Sequence, residues 1–140
     1  MGVGNGILDK FGASAGGAGP IVIIAPVAVP QGEFHRVTEF GATLRTGGAD
    51  MVVAIQMSND GFVGNIVEKD RIEMPSEGTF LKTYGPSSSP SVLGGLVIPG
   101  GFSWRAVFSQ GTPAAVGVKV SGNTQNTGDF SPSTDVLDVA

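Results

Sequence analysis

The sequence predicts an all-β fold, an antiparallel β-sandwich that is jelly-roll-like, from three observations. Its 140 residues include 23 glycines and 9 prolines, which lie mainly between apolar runs and therefore mark frequent turns. Residues 98–108 begin with a proline and a glycine and then alternate apolar and polar side chains, as a half-buried strand does. No stretch keeps apolar side chains at helical spacing without an interrupting glycine or proline. An immunoglobulin-like sandwich is the close competitor, although no cysteine supports it.

An internal repeat is consistent with two facing sheets. Residues 29–37 and 98–107 both carry a proline, a glycine two residues later, and then a long strand. Proline fixes one backbone angle and glycine allows an angle that other residues avoid, so each pair marks the start of a strand. In each copy we expect a turn and a return strand to complete a hairpin. The alignment pairs Pro30 with Pro99, Gly32 with Gly101, His35 with Trp104 and Arg36 with Arg105.

Residues 1–19 are rich in glycine, and we expect them to form a flexible N-terminal arm. Such a segment buries too little apolar surface to offset its own ordering entropy. A sharper hypothesis is that the arm becomes ordered against a neighbouring subunit, with Ile7, Leu8 and Phe11 as its anchors.

Residues 20–122 are expected to form the sandwich domain. Its first strand, at residues 20–29, contains Pro26, which confines that strand to a sheet edge or a bulge. The second strand, at residues 33–45, changes phase midway. A one-residue bulge near residues 38–39 would keep its apolar side chains on one face.

The middle of the chain is less regular. Residues 51–57 alternate cleanly and follow a hairpin turn at residues 46–50. Residues 62–67 and 71–74 are expected to pair as a short hairpin across the charged residues between them. A third proline–glycine pair, Pro75 and Gly78, opens the next strand.

After the strand that holds Trp104, a turn at residues 110–113 is expected to lead into residues 116–120 as its hairpin partner. Residues 123–140 are expected to form a polar C-terminal tail. The last apolar pair in that tail is Val136 and Leu137.

Composition argues against several classes of function. Charged residues make up 14% of the chain, below the roughly 25% of typical soluble domains, and a surface poor in charge favours assembly. A net charge of −4 with eight Lys and Arg argues against binding to duplex nucleic acid. The longest apolar run is broken by Pro26 and is too short to span a membrane. Without cysteine the chain has no disulfide, thiolate metal site or cysteine nucleophile.

The remaining residues offer little catalytic chemistry. His35 is the only histidine, and we expect it to fill the sandwich rather than serve a Ser-His-Asp triad or a metal site. Glu33, Glu39 and the four acids between residues 68 and 77 are candidates for a hydrolytic pair, but a charged run such as residues 68–77 is typical of a solvated hairpin. Asp50, Asp60 or Asp70 could contribute to a calcium site, but their sequence context favours the interpretation that these acids belong to turns. We therefore expect no enzyme, metal or cofactor.

Aromatic platforms for sugars would need exposed rings, and Trp104 and Tyr84 are the candidates. Trp104 shares the phase of Phe102 and Phe108, which predicts burial in the core. Arg36 and Arg105 should point outward, where they would be solvated or form ion pairs between subunits.

The Val/Ile-Pro-x-Gly pattern before each long strand, the glycine-rich arm, the low charge and the missing cysteines resemble small β-sandwich virion proteins of tailed phages, of the head-decoration or capsid-cement type. The resemblance implies a homo-oligomer, often a trimer, that is made in the host cytoplasm and bound to the major capsid protein in the virion. The candidate contact residues are Ile7, Leu8, Phe11, Arg36, Arg105, Val136 and Leu137. The alternative is a carbohydrate- or receptor-binding module of a fibre or tail, which would use Trp104, Tyr84 or the loop at residues 85–91.

Overall fold

In the computed structural model, residues 6–14, 20–46, 51–84, 96–109 and 115–126 are described, and they form nine antiparallel β-strands and no helix that could cross a membrane. Two sheets contain all of these strands. Sheet A has the order β1-β9-β3-β6, with β7 also paired to β3, and sheet B has the order β2-β8-β4-β5. The strands are β1 (Gly6–Ser14), β2 (Ile21–Ala28), β3 (Glu33–Thr46), β4 (Met51–Ser58), β5 (Ile66–Met74), β6 (Gly78–Thr83), β7 (Leu96–Pro99), β8 (Ser103–Ser109) and β9 (Ala115–Asn126).

The strand order is that of a jelly roll, as predicted. β6 and β7 lie end to end along the same edge of β3, so they act as one interrupted strand. Counted in this way, eight strands pair first with last: β1 with β9, β2 with β8, β3 with β6 and β7, and β4 with β5. This is the pairing of one long hairpin that has been wrapped into two facing sheets.

The repeated proline–glycine pairs are the two corners where the chain passes between the sheets. Gly32 and Gly101 adopt positive φ angles of 87° and 89°, which residues with a Cβ rarely adopt. The two corners also lie against each other. The backbone N–H of Val29 donates to the Phe102 carbonyl, and the N–H of Gly101 donates to the Val29 carbonyl, both at 2.9 Å. The repeat therefore has a structural basis in the corners.

The core between the sheets is apolar except for a few polar groups. Trp104 is fully buried, as its phase predicted, and its indole N–H donates to Nδ1 of His35 at 3.1 Å. His35 itself is buried and fills the sandwich, also as predicted. Burial lowers the pKa of His35 below 6.5, with Glu33 opposing the shift and Lys10 adding to it. The repeat thus brings its two matched residues into contact across the core.

Two irregularities in the strands confirm the predictions from sequence. The register between β3 and β9 shifts between Val37 and Glu39, so Thr38 is the extra residue of a bulge. β2 is an edge strand of sheet B, and its register with β8 shifts between Ile24 and Val27, where Pro26 lies.

The two hairpins expected after the long strands are wrong. β3 lies in sheet A and the next strand, β4, lies in sheet B; β8 and β9 likewise lie in different sheets. A strand that packs on the core from either sheet shows the same alternation, so the pattern alone cannot separate a hairpin from a crossing. Residues 47–50 and 110–114 lie outside the described residues.

The short hairpin expected around residues 68–70 is also wrong, because β5 is one continuous strand paired with β4. Asp70 lies opposite Ile55 and Glu68 opposite Gln56, which leaves Lys69 as the extra residue of a bulge. β5 is an edge strand, where charged side chains keep contact with water. The charges that suggested a turn belong to that edge.

The arm expected to be flexible contains a strand. β1 pairs with β9 along its whole length, and Leu8 is buried in the core. A Cβ on Gly12 would lie 1.9 Å from the carbonyl oxygen of Ile23, so the missing side chain lets β1 approach β2 closely. At the other end of the chain, β9 continues to Asn126, so the first residues of the expected polar tail belong to sheet A.

Candidate interaction surface on sheet A

The outer face of sheet A, which points away from the core, carries large apolar side chains in contact with water. Ile7 is 89% exposed, Phe11 is 70% exposed and Leu81 is 60% exposed. Ile7 and Phe11 belong to one edge strand, β1, and Leu81 belongs to the opposite edge strand, β6. Large apolar groups exposed at both edges of one face are typical of an interaction surface.

A shallow groove runs between these two edges. In one row across the sheet, Phe11 lies opposite Lys119, Lys119 opposite Gly41, and Gly41 opposite Leu81. Gly41 and Gly117 have no side chains and form part of the floor, while Phe11 and Leu81 form walls. The cavity has a volume of about 280 Å³. We call it the sheet-A groove.

Charged side chains of both signs surround the sheet-A groove. By strand alternation Asp9, Glu39, Arg45 and Lys119 point to this outer face. Among the described residues, none of these four takes part in a salt bridge. The surface therefore offers both positive and negative groups to a partner.

Two arginines on the outer face of sheet B have partners within the chain. The Arg71 guanidinium donates from Nε and from the second terminal nitrogen to the two carboxylate oxygens of Glu68, at 2.7 and 2.8 Å. Arg105 donates from Nε to the Gln56 side-chain oxygen at 3.0 Å and lies 4.1 Å from the centre of the Phe62 ring. These two cations already have partners, whereas the four charged side chains around the sheet-A groove have no salt bridge in the described chain, so we take the outer face of sheet A as the candidate surface.

Three buried polar atoms at the far end of the sheet-A face have no hydrogen-bond partner within the described chain. They are Nε of Arg36, the side-chain oxygen of Asn123 and the side-chain oxygen of Gln125. Arg36 lies opposite Asn123, which in turn lies opposite Ile7. Because an unpaired buried polar group is unfavourable, these three atoms lower the stability of the folded chain at this end of the face.

The predicted contact residues are divided by the structure. Ile7 and Phe11 lie together on the outer face of sheet A, whereas Leu8 points into the core and is closed to a partner. Arg36 and Arg105 point outward, but from opposite sheets. Val136 and Leu137 lie outside the described residues. The contact roles of the accessible residues stay predictions.

The sequence analysis missed Leu81 and the two floor glycines. A strand was expected at Leu81, but nothing local tells which face its side chain occupies. The groove is visible only once Gly41 is known to lie opposite Leu81, a pairing between positions far apart in the sequence.

One candidate acid of the middle region, Asp70, links β5 to the chain at the end of β6. Asp70 on β5 accepts a hydrogen bond from Nζ of Lys82 at 2.9 Å and a very short one from the Tyr84 hydroxyl. Burial raises the pKa of Asp70, but the bonds from Tyr84, Lys82 and the Arg71 N–H outweigh it, so the pKa falls below 3.8. Burial and Asp70 both raise the pKa of Tyr84. We call these three side chains, Asp70, Lys82 and Tyr84, the Asp70 clamp.

Asp60 is engaged by its own loop. Its carboxylate accepts bonds from the Ser58 hydroxyl at 2.6 Å and from the backbone N–H groups of Val63, Gly64 and Asn65. The bond from Ser58 and those from the backbone lower the pKa of Asp60. Turn chemistry accounts for this acid, and across the described ranges no group of three His, Asp or Glu side chains could hold a metal ion.

Comparisons with known proteins assign the chain to no family. No family model and no curated protein matches the sequence. Among solved structures, the chain is similar to a pilus protein of Bacillus endospore appendages, with 9% identity and a TM-score of 0.48 over 87% of this chain and 86% of that one. It is similar to infectious bursal disease virus, with 12% identity and a TM-score of 0.49, and there it spans 92% of this chain but 35% of the viral chain. A cyanophage Pam1 capsid chain shows 13% identity and a TM-score of 0.35, over 90% and 89%. These similarities are too distant to transfer a function.

Proposed function

We propose that the chain is a non-enzymatic structural protein of a virus particle, a head-decoration or capsid-cement subunit. It works by burying the outer face of sheet A against other subunits, which are further copies of itself and the major capsid protein. The observation that carries the proposal is the exposure of Ile7, Phe11 and Leu81 on that one face. Burying a side chain of this size contributes roughly 1.5–3 kcal/mol, so a few of them supply much of an assembly's free energy.

Three of the groups that could have served catalysis have structural partners, which is consistent with this proposal. His35 accepts the Trp104 indole N–H, Asp70 belongs to the Asp70 clamp, and Glu68 is paired with Arg71. Jelly rolls occur in viral shells but also in lectins and cupins, so the fold only permits the role. The exposed face supplies the positive argument.

The alternative, a carbohydrate- or receptor-binding module, loses its two aromatic candidates. The Trp104 ring is fully buried, and the Tyr84 ring is partly buried against the core with its hydroxyl bound to Asp70. Sugar-binding platforms need rings that are free to stack on a ligand. The loop at residues 85–91, the third candidate, lies outside the described residues.

The test is the copy number of the full-length chain on virus particles purified from a lysate in which it is made, measured by quantitative mass spectrometry. We expect many copies per particle. Leu81→Lys should lower the occupancy at least about tenfold, since a charge on this face opposes burial. Val63→Lys is the matched control, because Val63 is 85% exposed in the loop after β4 and should tolerate the same change. Absence of the chain from particles would refute the proposal.

A further inference from the structure

We infer that the outer face of sheet A binds the same face of a second copy of this chain, with Phe11 of each copy inserted into the sheet-A groove of the other. The inference rests on the proposed function only in treating this face as an assembly surface. A contact of this kind is two-fold and closed, whereas the resemblance to decoration proteins implied a trimer.

The size and chemistry of the groove select a single apolar side chain as its occupant. Its volume of about 280 Å³ lies below the roughly 300–1,000 Å³ of small-molecule sites. The surface inside the groove is mainly apolar, from the walls of Phe11 and Leu81 and the glycines of the floor, while its polar lining consists of Thr43, Thr79, Arg45 and Lys119. A phenyl ring suits such a site, because an aromatic ring buries a large area and can stack beside another ring.

The same chain supplies that side chain. Phe11 is 70% exposed and stands at the rim of the groove on edge strand β1. A surface that carries both a projecting ring and a receptive groove is complementary to itself when two copies face each other. In that arrangement the Phe11 rings of the two copies lie as neighbours.

Charge and area also fit a second copy. The face carries Asp9 and Glu39 together with Arg45 and Lys119, all without an ion-pair partner in the described chain, so each copy offers the opposite sign to the other. β1 has nine residues, and four strands cross the face. At about 3.3 Å per residue and 4.8 Å between strands, the flat footprint is about 600 Å². Side chains that project from the sheet add accessible area to this footprint, so the buried area approaches the roughly 800 Å² per partner of a stable interface.

Sedimentation velocity of the full-length chain over a range of concentrations tests the inference without any particle. We expect a dimer that Phe11→Asp weakens at least about 100-fold, because the two-fold contact loses two buried rings for each substitution. Gly41→Val fills the groove while leaving Phe11 in place, and should weaken the dimer as well. A Cβ on Gly41 would lie 3.1 Å from the flexible tip of Leu81 and at an ordinary 3.6 Å from the carbonyl oxygen of Phe80, so this variant should fold. Val63→Asp is the matched control and should leave the dimer unchanged.

Three outcomes would overturn the inference: a monomer at all concentrations, a trimer, or a dimer that neither Phe11→Asp nor Gly41→Val weakens. Thermal unfolding of each variant verifies that the fold is retained. The proposed function fails separately, on absence from particles. A monomer present on particles refutes the pairing alone, and a Phe11-dependent dimer absent from particles refutes the virion role alone.

Discussion

The two open edges of the sandwich are closed by different means. At one edge β1 of sheet A approaches β2 of sheet B, and Gly12 allows this because no side chain separates it from the Ile23 carbonyl. At the other edge β5 of sheet B meets β6 of sheet A through the Asp70 clamp, in which Lys82 and Tyr84 hold one carboxylate. One closure relies on close backbone approach and the other on charged hydrogen bonds.

The difference predicts how each edge responds to change. Close backbone approach tolerates no added volume, but it involves no titrating group. The Asp70 clamp has room for substitution at a partly exposed site, but it depends on the charge of one carboxylate. The first edge should therefore be sensitive to the addition of a methyl group, and the second to the loss of a hydroxyl or to acid.

The largest expected effect is that of Gly12→Ala. The new Cβ would lie 1.9 Å from a backbone oxygen, so β1 or β2 must move to accommodate it. We expect the free energy of unfolding to fall by about 2–4 kcal/mol, as measured by urea denaturation.

Gly41→Ala is the matched control for Gly12→Ala. Both glycines lie in strands of sheet A, but the only tight contact of the control's Cβ, at 3.1 Å, is with the flexible end of Leu81. The control should change stability by less than about 0.5 kcal/mol. Equal effects of the two substitutions would show that strand propensity, and not the approach of β1 to β2, explains the loss.

The second effect concerns the Asp70 clamp. Tyr84→Phe removes the hydroxyl that donates to the Asp70 carboxylate but keeps the ring. Hydrogen bonds to charged groups contribute about 1.5–3 kcal/mol when buried, and this site is only partly buried, so we expect a loss of about 1–2 kcal/mol. In an Asp70→Ala background the same substitution should have almost no effect. A full effect in that background would assign the loss to packing of the ring.

Strand phase made several features of the fold predictable. The burial of Trp104 followed from alternation within one strand, and the bulge at Thr38 followed from a change of phase within another. The proline–glycine corners were recognisable because each residue has a specific backbone role. All of these are local signals.

The errors have a physical cause in common. The many glycines in the first residues predicted a flexible segment. In the structure Gly12 instead allows β1 to lie close to the Ile23 carbonyl of β2, a contact that composition does not reveal. The crossings after β3 and β8 depend on which sheet each strand joins, and alternation is the same in both cases. For the interaction surface, Ile7 and Phe11 were named from their apolar character, but the groove required the pairing of Gly41 with Leu81. The approach of β1 to β2, the two crossings and the groove all depend on which strands lie next to each other, and this is not visible in any short stretch of sequence.

The smallest expected effect is the pH dependence that distinguishes the two edges. Asp70 has a pKa lowered below 3.8 in the folded chain, so its contribution to stability is present above pH 3.8 and is lost as the pH falls through the folded value. His35 also has a lowered pKa, because burial disfavours its charged form. The unfolded chain therefore takes up a proton at this residue before the folded chain does, and stability begins to fall as the pH drops below 6.5. Both groups therefore make the chain less stable in acid, in successive windows.

Comparison with Asp70→Asn isolates the edge from the other acids, because the variant keeps an oxygen acceptor for Tyr84 but has no charge to lose. The difference in unfolding free energy between the natural chain and Asp70→Asn should be constant from pH 7 to about pH 5 and should shrink below pH 3.8. The difference between the natural chain and Gly12→Ala should stay level over the same range, since the contact between Gly12 and the Ile23 carbonyl contains no titrating group. A level difference for Asp70→Asn, measured by urea denaturation at each pH, would mean that the carboxylate charge contributes nothing to closing β5 onto β6.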